Sequence, residues 1–404
     1  MSIQLFCVHF QQQNPCFFSK AMLYFDHNLY DNMVTLQNEV EIQRWKRKEE
    51  KKQMKTYLER INEQTPTRMW VNNPTPSEAK KGLEAGVFGA TSNPTYLSHM
   101  LKSEETKDAA LCAIDRYVRM TEDDHLVVAL AYQEMIAKIA EIFLPLFQET
   151  GGEKGWVAIQ GNPYRDDDVD FVLQEAHRFY ELSPNIVVKV SATLAGIAAM
   201  EKLTSEGRCV LATAGVSNYY AVQMFEAYAR GVQIAGSAPT LFVTTLAAPF
   251  ENYAKKYVES NHIAISPDLV EKAGTEMSKK IYQIWKEKYS ALNCKLMGGG
   301  VRAARHFTEM VGGDMHVTCG WNFIDELNRT NPEILNRIDV TASPEELEEL
   351  EEKIPAFRRA YEADGLVAAD LSSHPAFELF HNGFLTAWDG VLSTVRERRL
   401  LLCR

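Results

Sequence analysis

Beyond residue 54, short runs of apolar residues alternate with longer stretches in which apolar residues recur every three or four positions. The short runs are typical of strands buried in a parallel sheet, and the longer stretches are typical of helices with one apolar face. Eight strands are predicted, at residues 68–72, 87–92, 156–161, 186–191, 209–213, 232–237, 295–299 and 315–319. Eight strands separated by helices favour a (β/α)8 TIM barrel over residues 54–329, rather than an open doubly wound sheet.

Residues 330–404 continue beyond the predicted barrel as a helical extension. Apolar residues from Phe377 to Val395 recur at three- and four-residue spacing, which indicates one apolar helix face. We expect this face to pack on the chain's own barrel. The alternatives are a contact between subunits of a homo-oligomer, an assembly that we expect to form, or a wall of a neighbour's active site.

Residues 1–53 are interpreted as a separate N-terminal extension, and residues 44–55 are a dense charge run. Such a run is typical of a solvated helix face or a tether. Lys48-Glu49-Glu50 can be encoded by AAG-GAG-GAA, which contains a bacterial ribosome-binding sequence shortly before the Met54 codon. We therefore hypothesise that Met54 is the natural start. N-terminal sequencing of protein made from its native transcript would test this.

The composition is that of an ordinary globular protein, with 46% hydrophobic and 24% charged residues. A net charge of −11 argues against a nucleic-acid-binding surface, and no run of about 18 apolar residues predicts a membrane span. Seven cysteines are scattered without a CxxC pair. This pattern indicates reduced thiols in a cytoplasmic protein and no structural zinc.

Lys189 is an isolated ammonium group in the apolar run of residues 186–191. A charged lysine is costly to bury, so burial lowers its pKa and favours the free amine, the form that attacks a carbonyl to give a Schiff base. The alternative interpretation is a lysine that reaches solvent from a strand end or pairs with a carboxylate. Both interpretations are compatible with the segment by itself.

Three motifs occur in order around this lysine. Residues 89–95 read Gly-Ala-Thr-Ser-Asn-Pro-Thr, Lys189 is followed four positions later by Thr193, and the next predicted strand ends at Thr213. Over residues 66–325 the chain resembles the transaldolase family, in which these motifs occur in the same order. The resemblance implies a (β/α)8 barrel that uses Lys189 as its Schiff-base lysine, with no cofactor and no metal.

The resemblance also implies roles for other residues. Asn93 would hold the substrate, and Thr213 would position a water that relays protons. Ser237 lies near the position of a family serine that binds the dihydroxyacetone hydroxyls. Two positions depart from the family: an aspartate after the first strand is Asn72, and a glutamate found in many members after the third strand is Gln160. An amide cannot exchange protons as a carboxylate can.

A glutamine at position 160 is shared by the fructose-6-phosphate aldolase branch, in which a tyrosine after the fifth strand carries the acid/base chemistry. Tyr219 is placed like that tyrosine, so the resemblance implies that it is the general acid/base. The alternative is that Tyr219 and Tyr220 simply pack a loop.

The anion site departs from the family as well. Transaldolases hold the substrate phosphate with two arginines and a serine. Arg302 matches one arginine, but the serine position is Gly300, and residues 239–242 hold no counterpart of the other arginine. Arg165, after the third strand, is the candidate second cation. An arginine facing solvent at a helix start is the alternative interpretation of Arg302.

An acidic run such as the one at residues 166–168 more often caps a helix than binds a metal.

We expect transfer of a dihydroxyacetone unit from a ketose to an aldehyde such as glyceraldehyde 3-phosphate. The altered anion site leaves open a C6-phosphorylated donor or a sulfonated one such as 6-deoxy-6-sulfofructose. The alternatives are a fructose-6-phosphate-type aldolase that releases free dihydroxyacetone, and a non-catalytic barrel that binds sugar phosphates or a partner.

Overall fold

Eight parallel strands close into a barrel in chain order in the computed structural model, which describes residues 55–362 and 365–402. The hypothesised start at Met54 and the extension at residues 1–53 lie outside the described residues. The strands are β1 (Arg68–Asn72), β2 (Gly89–Thr91), β3 (Trp156–Gln160), β4 (Ile186–Val190), β5 (Val210–Ala212), β6 (Leu241–Leu246), β7 (Cys294–Gly299) and β8 (Met315–Cys319). Pairing of β8 with β1 closes the ring, so the predicted (β/α)8 barrel is confirmed.

Helices connect the strands and cover the outside of the barrel. In chain order they are α1 (Tyr57–Gln64), α2 (Pro76–Ala85), α3 (Tyr96–Met100), α4 (Lys107–Val118), α5 (Asp124–Glu149), α6 (Val169–Tyr180), α7 (Leu194–Ser205), α8 (Asn218–Ala235), α9 (Ala247–Ser260), α10 (Pro267–Lys288), α11 (Arg305–Thr308), α12 (Trp321–Thr330), α13 (Pro344–Lys353), α14 (Pro355–Tyr361) and α15 (Pro375–Leu402). None of these described helices is long and apolar enough to span a bilayer.

The barrel interior is filled by side chains from alternate strand positions. Trp70, Val187, Leu211, Phe242 and Met297 form a separate inner cluster, while the outward-facing strand residues pack against the helices. This arrangement follows from the two-residue period of a strand. Because the interior is plugged, a ligand can reach inward-facing polar side chains only at the ends of the strands.

The sixth strand lies elsewhere than predicted. Residues 232–237 do not form a strand, because α8 continues to Ala235 and ends at Gly236, whose φ of 65° is left-handed. The Gly236 N–H donates to the Val232 carbonyl, which is a helix C-terminal bond. The strand is Leu241–Leu246, and all six of its residues are buried.

The last helix, α15, packs on the barrel of its own chain. Phe377, Trp388 and Val395 are buried in its contacts with α3, α4, α5 and α9. Near its end, the Arg398 guanidinium donates to the Asp115 carboxylate on α4, with an Nε–Oδ1 distance of 2.6 Å. The apolar stripe therefore has a partner within the chain, and the homo-oligomer remains a prediction.

Candidate active site

Lys189 lies on β4 and is only 9% exposed. Its Nζ donates to the backbone carbonyl of Ser92 at 2.9 Å, and within the described residues it forms no ion pair. The Ser92 hydroxyl in turn lies 2.6 Å from the Tyr132 hydroxyl, which helps to hold Ser92 in place. Burial lowers the pKa of Lys189 to about 7. At neutral pH a large fraction of this side chain is therefore an uncharged amine, the nucleophilic form.

The amine opens into a cavity of about 710 Å³ at the carboxyl ends of the strands. The polar lining residues that bear on its chemistry are Asn72, Asn93, Thr213, Thr244, Arg302 and Lys256. Helix α15 forms one wall of the cavity, and its lining residues include Phe380 and Phe384. Its volume lies within the range of small-molecule sites in proteins.

Asn72 and Asn93 both use their carbonyl oxygens within the protein. The Asn72 Oδ1 accepts from the Thr91 hydroxyl at 3.0 Å, and the Asn93 Oδ1 accepts from the Thr95 hydroxyl at 2.6 Å. Both side chains line the cavity. Since the carbonyls are occupied, the NH2 groups are what these residues can offer to a ligand, and they suit a carbonyl or hydroxyl oxygen.

Gln160 lies beside Lys189 because the two residues pair in the register of β3 and β4. Its Nε2 donates to the Ser191 hydroxyl at 3.2 Å, whereas its Oε1 is buried without a hydrogen-bond partner in the described residues. Gln160 and Lys189 also line a void of about 20 Å³ next to the main cavity. A void of this size has room for about one water molecule.

Four predicted site residues do not line the Lys189 cavity: Gln160, which lines the neighbouring void, and Ser237, Arg165 and Tyr219. Ser237 precedes β6, at the amino ends of the strands. It lies next to Gly207, in the loop before β5: a Cβ built on Gly207 would be 3.8 Å from the Ser237 Oγ. The sequence analysis placed Ser237 at the carboxyl end of a predicted strand, whereas in the structure Ser237 lies before the true sixth strand. This position does not support the substrate-binding role predicted for Ser237 at Lys189.

Arg165 and Tyr219 are also outside the cavity. The Arg165 guanidinium pairs with Asp168 at 2.5 Å and lies over the Phe171 ring, in a separate cleft of about 400 Å³. Tyr219, in the first turn of α8, packs against the hydrophobic core. Asp168 accepts from the Phe171 N–H as the N-cap of α6, so the acidic run starts a helix as predicted. Within the described residues no group of side chains could hold a metal ion.

Sequence reasoning missed Thr244 and Lys256. Thr244 was missed because β6 was not recognised; it faces inward on that strand, and its hydroxyl is buried without a partner in the described part of the chain. The available signal was the run of apolar and β-branched residues at Leu241–Leu246. Lys256 lies on α9 and lines the cavity, but no local pattern in the sequence indicates that it does so.

Arg302 lines the cavity, as predicted, in the loop after β7. Its Nη1 donates to the Val301 carbonyl at 2.9 Å, it pairs with no carboxylate in the described residues, and burial lowers its pKa. The preceding Gly300 has a φ of +67°, and a Cβ there would lie 2.5 Å from the Cδ of Pro249. Glycine at this position is therefore required by the packing of the loop against α9.

Comparison with known proteins agrees with the fold. The sequence profile described as "Transaldolase/Fructose-6-phosphate aldolase" matches residues 69–371. A "Transaldolase" from Neisseria gonorrhoeae is 27% identical over 233 residues, which cover 55% of this chain and 64% of that protein. A "Transaldolase" from Thiobacillus denitrificans is 30% identical over 219 residues, covering 52% and 60%. The chain thus matches less than two thirds of the length of these relatives. Because the profile covers most of the chain, the protein belongs to the transaldolase/fructose-6-phosphate aldolase family.

Proposed function

We propose that this protein transfers a dihydroxyacetone unit from a C6-phosphorylated or sulfonated ketose to an aldehyde through a Schiff base on Lys189. The observation that carries the proposal is a buried amine with a pKa near 7, unpaired with any carboxylate in the described residues, at the mouth of a cavity in a barrel of this family. A neutral amine in such a site forms an iminium with a ketose carbonyl, and the iminium is the electron sink that carbon–carbon cleavage needs.

The proposed reaction begins with attack of the Lys189 Nζ on C2 of the ketose. Loss of water gives the iminium, and removal of the proton from the C4 hydroxyl breaks the C3–C4 bond. The aldehyde half leaves, and the remaining enamine adds to the acceptor aldehyde before water releases the product. In this proposal the amide NH2 groups of Asn72 and Asn93, which line the cavity, donate to the oxygens of the sugar.

Proton transfer requires a group other than a carboxylate. Among the described residues that line the cavity, none is aspartate or glutamate. Tyr220 is no substitute, because its hydroxyl donates to the Thr213 carbonyl at 3.1 Å and burial raises its pKa well above the usual value. We assign proton relay to a water held near Thr213 and the unpartnered Oε1 of Gln160, rather than to Tyr219.

Schiff-base formation should depend on pH through Lys189. The protonated amine does not attack a carbonyl, and the pKa of Lys189 is lowered to about 7. The rate of adduct formation should therefore rise about tenfold per pH unit below pH 7 and level off above it. Trapping with cyanoborohydride and mass measurement at several pH values would check this. A midpoint near the ordinary lysine value of 10.5 would contradict the proposed state of the amine.

Thr244 should contribute to substrate binding in place of Ser237. Its hydroxyl is buried, unpartnered in the described residues and on the cavity wall, so it has capacity for one hydroxyl of the sugar. Thr244→Val should leave the melting temperature unchanged or slightly higher and lower kcat/KM by roughly tenfold, the worth of about one neutral hydrogen bond.

The adjacent Thr245 supplies a matched control. It is equally buried and its hydroxyl is also unpartnered in the described part of the chain, but it does not line the cavity. Thr245→Val should leave kinetics unchanged. Equal effects of the two changes on kcat/KM would assign Thr244 to packing alone.

The glutamine at position 160 favours the second candidate, an aldolase of the fructose-6-phosphate type. Product analysis with and without an acceptor aldehyde separates the two. A transferase should turn over only when the acceptor is present, whereas an aldolase should release free dihydroxyacetone without one. Failure of borohydride to trap any ketose on the protein would leave the non-catalytic barrel that binds sugar phosphates.

A further inference from the structure

The charged side chains that line the Lys189 cavity are all basic. Besides Lys189 they are Arg302 and Lys256, with His99 at the edge, and among the described lining residues none is acidic. Burial lowers the pKa of His99, and the positive charges of Lys102 and Arg302 lower it further. His99 is thus close enough to Arg302 to feel its charge, and the basic lining of this side of the cavity suits an anionic ligand.

Helix α9 brings Lys256 to the loop of Arg302. Pro249, Asn252 and Lys256 are spaced three and four residues apart, so they share one face of α9, and all three line the cavity. Pro249 packs directly on Gly300, two residues before Arg302. The same helix face therefore contacts the loop and presents Lys256 to the space in front of it.

Lys256 differs from its neighbour in its ionic contacts. Lys255 Nζ lies 2.8 Å from carboxylate oxygens of both Glu251 and Glu271. Arg305 also pairs with Glu251, at 2.6 Å. Lys256 forms no ion pair in the described part of the chain, although acidic residues are close by along the helix. Its charge is therefore available to a ligand in the cavity.

We propose that Lys256, on the helix that packs against the loop of Arg302, is the second cation for the distal anion of the ketose. This inference rests on the proposed function and names a further residue of its site. At neutral pH a phosphomonoester carries close to two negative charges and a sulfonate carries one. Each cation at a given distance therefore attracts the phosphate about twice as strongly. Two cations, with no carboxylate among the described lining residues, would therefore hold a phosphorylated ketose more tightly than a sulfonated one.

The first test measures binding of inorganic phosphate to the full-length protein by calorimetry, a readout that does not require turnover. Lys256→Met should weaken phosphate binding about five- to tenfold, the scale expected for a partly exposed charge pair. Lys256→Arg should retain most of the affinity. Lys255→Met removes the same charge one residue away and should leave binding unchanged. Unaltered binding by Lys256→Met, or no saturable binding by the unchanged protein, would overturn the proposal.

The second test compares kcat/KM on fructose 6-phosphate and on 6-deoxy-6-sulfofructose. The unchanged protein should prefer the phosphate, and Lys256→Met should reduce that preference severalfold by raising KM while kcat changes little. Equal losses on both sugars would overturn the assignment of phosphate selectivity to Lys256. Borohydride trapping at Lys189 reports on the proposed function separately: a protein that traps ketose yet binds phosphate independently of Lys256 fails only the present inference.

Discussion

Lys189→Met is expected to abolish both turnover and the covalent trapping of a ketose by borohydride, while the fold is retained. Methionine fills a similar volume but has no nucleophile, so neither the iminium nor its reduced adduct can form. Intact-protein mass spectrometry after reduction with a ketose present measures the adduct directly. A mass increase that persists in Lys189→Met would show that the nucleophile is elsewhere.

The same variant should be at least as stable as the unchanged protein. The pKa of Lys189 in the folded protein is about 7, below the ordinary value of 10.5, so the unfolded chain binds more protons between these limits. The lysine therefore destabilises the folded state fully below about pH 7, and this penalty disappears as the pH rises through 10.5. Methionine removes the penalty. Thermal unfolding at pH 7 would distinguish a lost nucleophile from a lost fold.

Arg302→Ala is expected to weaken the use of anionic sugars far more than that of free fructose. Loss of a charged hydrogen-bonding group from such a site costs about 2 kcal/mol or more, which corresponds to roughly 30-fold in kcat/KM. Arg302→Lys should restore only part of this loss, because lysine lacks the planar fork of guanidinium. The measurement is kcat/KM for fructose 6-phosphate, 6-deoxy-6-sulfofructose and free fructose.

Arg119 supplies the control for the arginine change. It is exposed and lies just after α4, away from the cavity residues. Arg119→Ala should leave all three sugars unaffected. Losses of equal size on charged and neutral sugars in Arg302→Ala would assign Arg302 to holding the loop beside Gly300.

The barrel was predictable because most of its strands are short apolar runs bounded by turn residues. The limits predicted for β1 and β8 coincide with the observed Arg68–Asn72 and Met315–Cys319. The prediction of the sixth strand failed because Val232 and Ile234 have the branched side chains favoured in strands. In the structure they lie in the last turn of an 18-residue helix. The true strand carries two adjacent threonines, which made a fully buried segment look partly polar.

The site was predictable only where its residues follow recognisable strand ends. Lys189, Thr213, Asn72, Asn93 and Arg302 all line one cavity, as the barrel topology requires. Whether Lys189 is paired could not be read from its segment, because that depends on Ser92, 97 positions earlier in the chain. Lys256 and the wall of α15 belong to the site only through tertiary packing, and such contacts leave no periodic signal in the sequence.

The position of α15 bears on how this barrel could acquire new substrates. The family profile ends at residue 371, whereas α15 begins at Pro375 and supplies Phe380 and Phe384 to the cavity. Lys189 thus lies inside the matched segment, whereas these two cavity-lining residues lie outside it. Replacing these two phenylalanines with smaller residues would enlarge the cavity without altering any codon within the matched segment. Directed evolution towards bulkier aldehydes could therefore begin with a library confined to this helix.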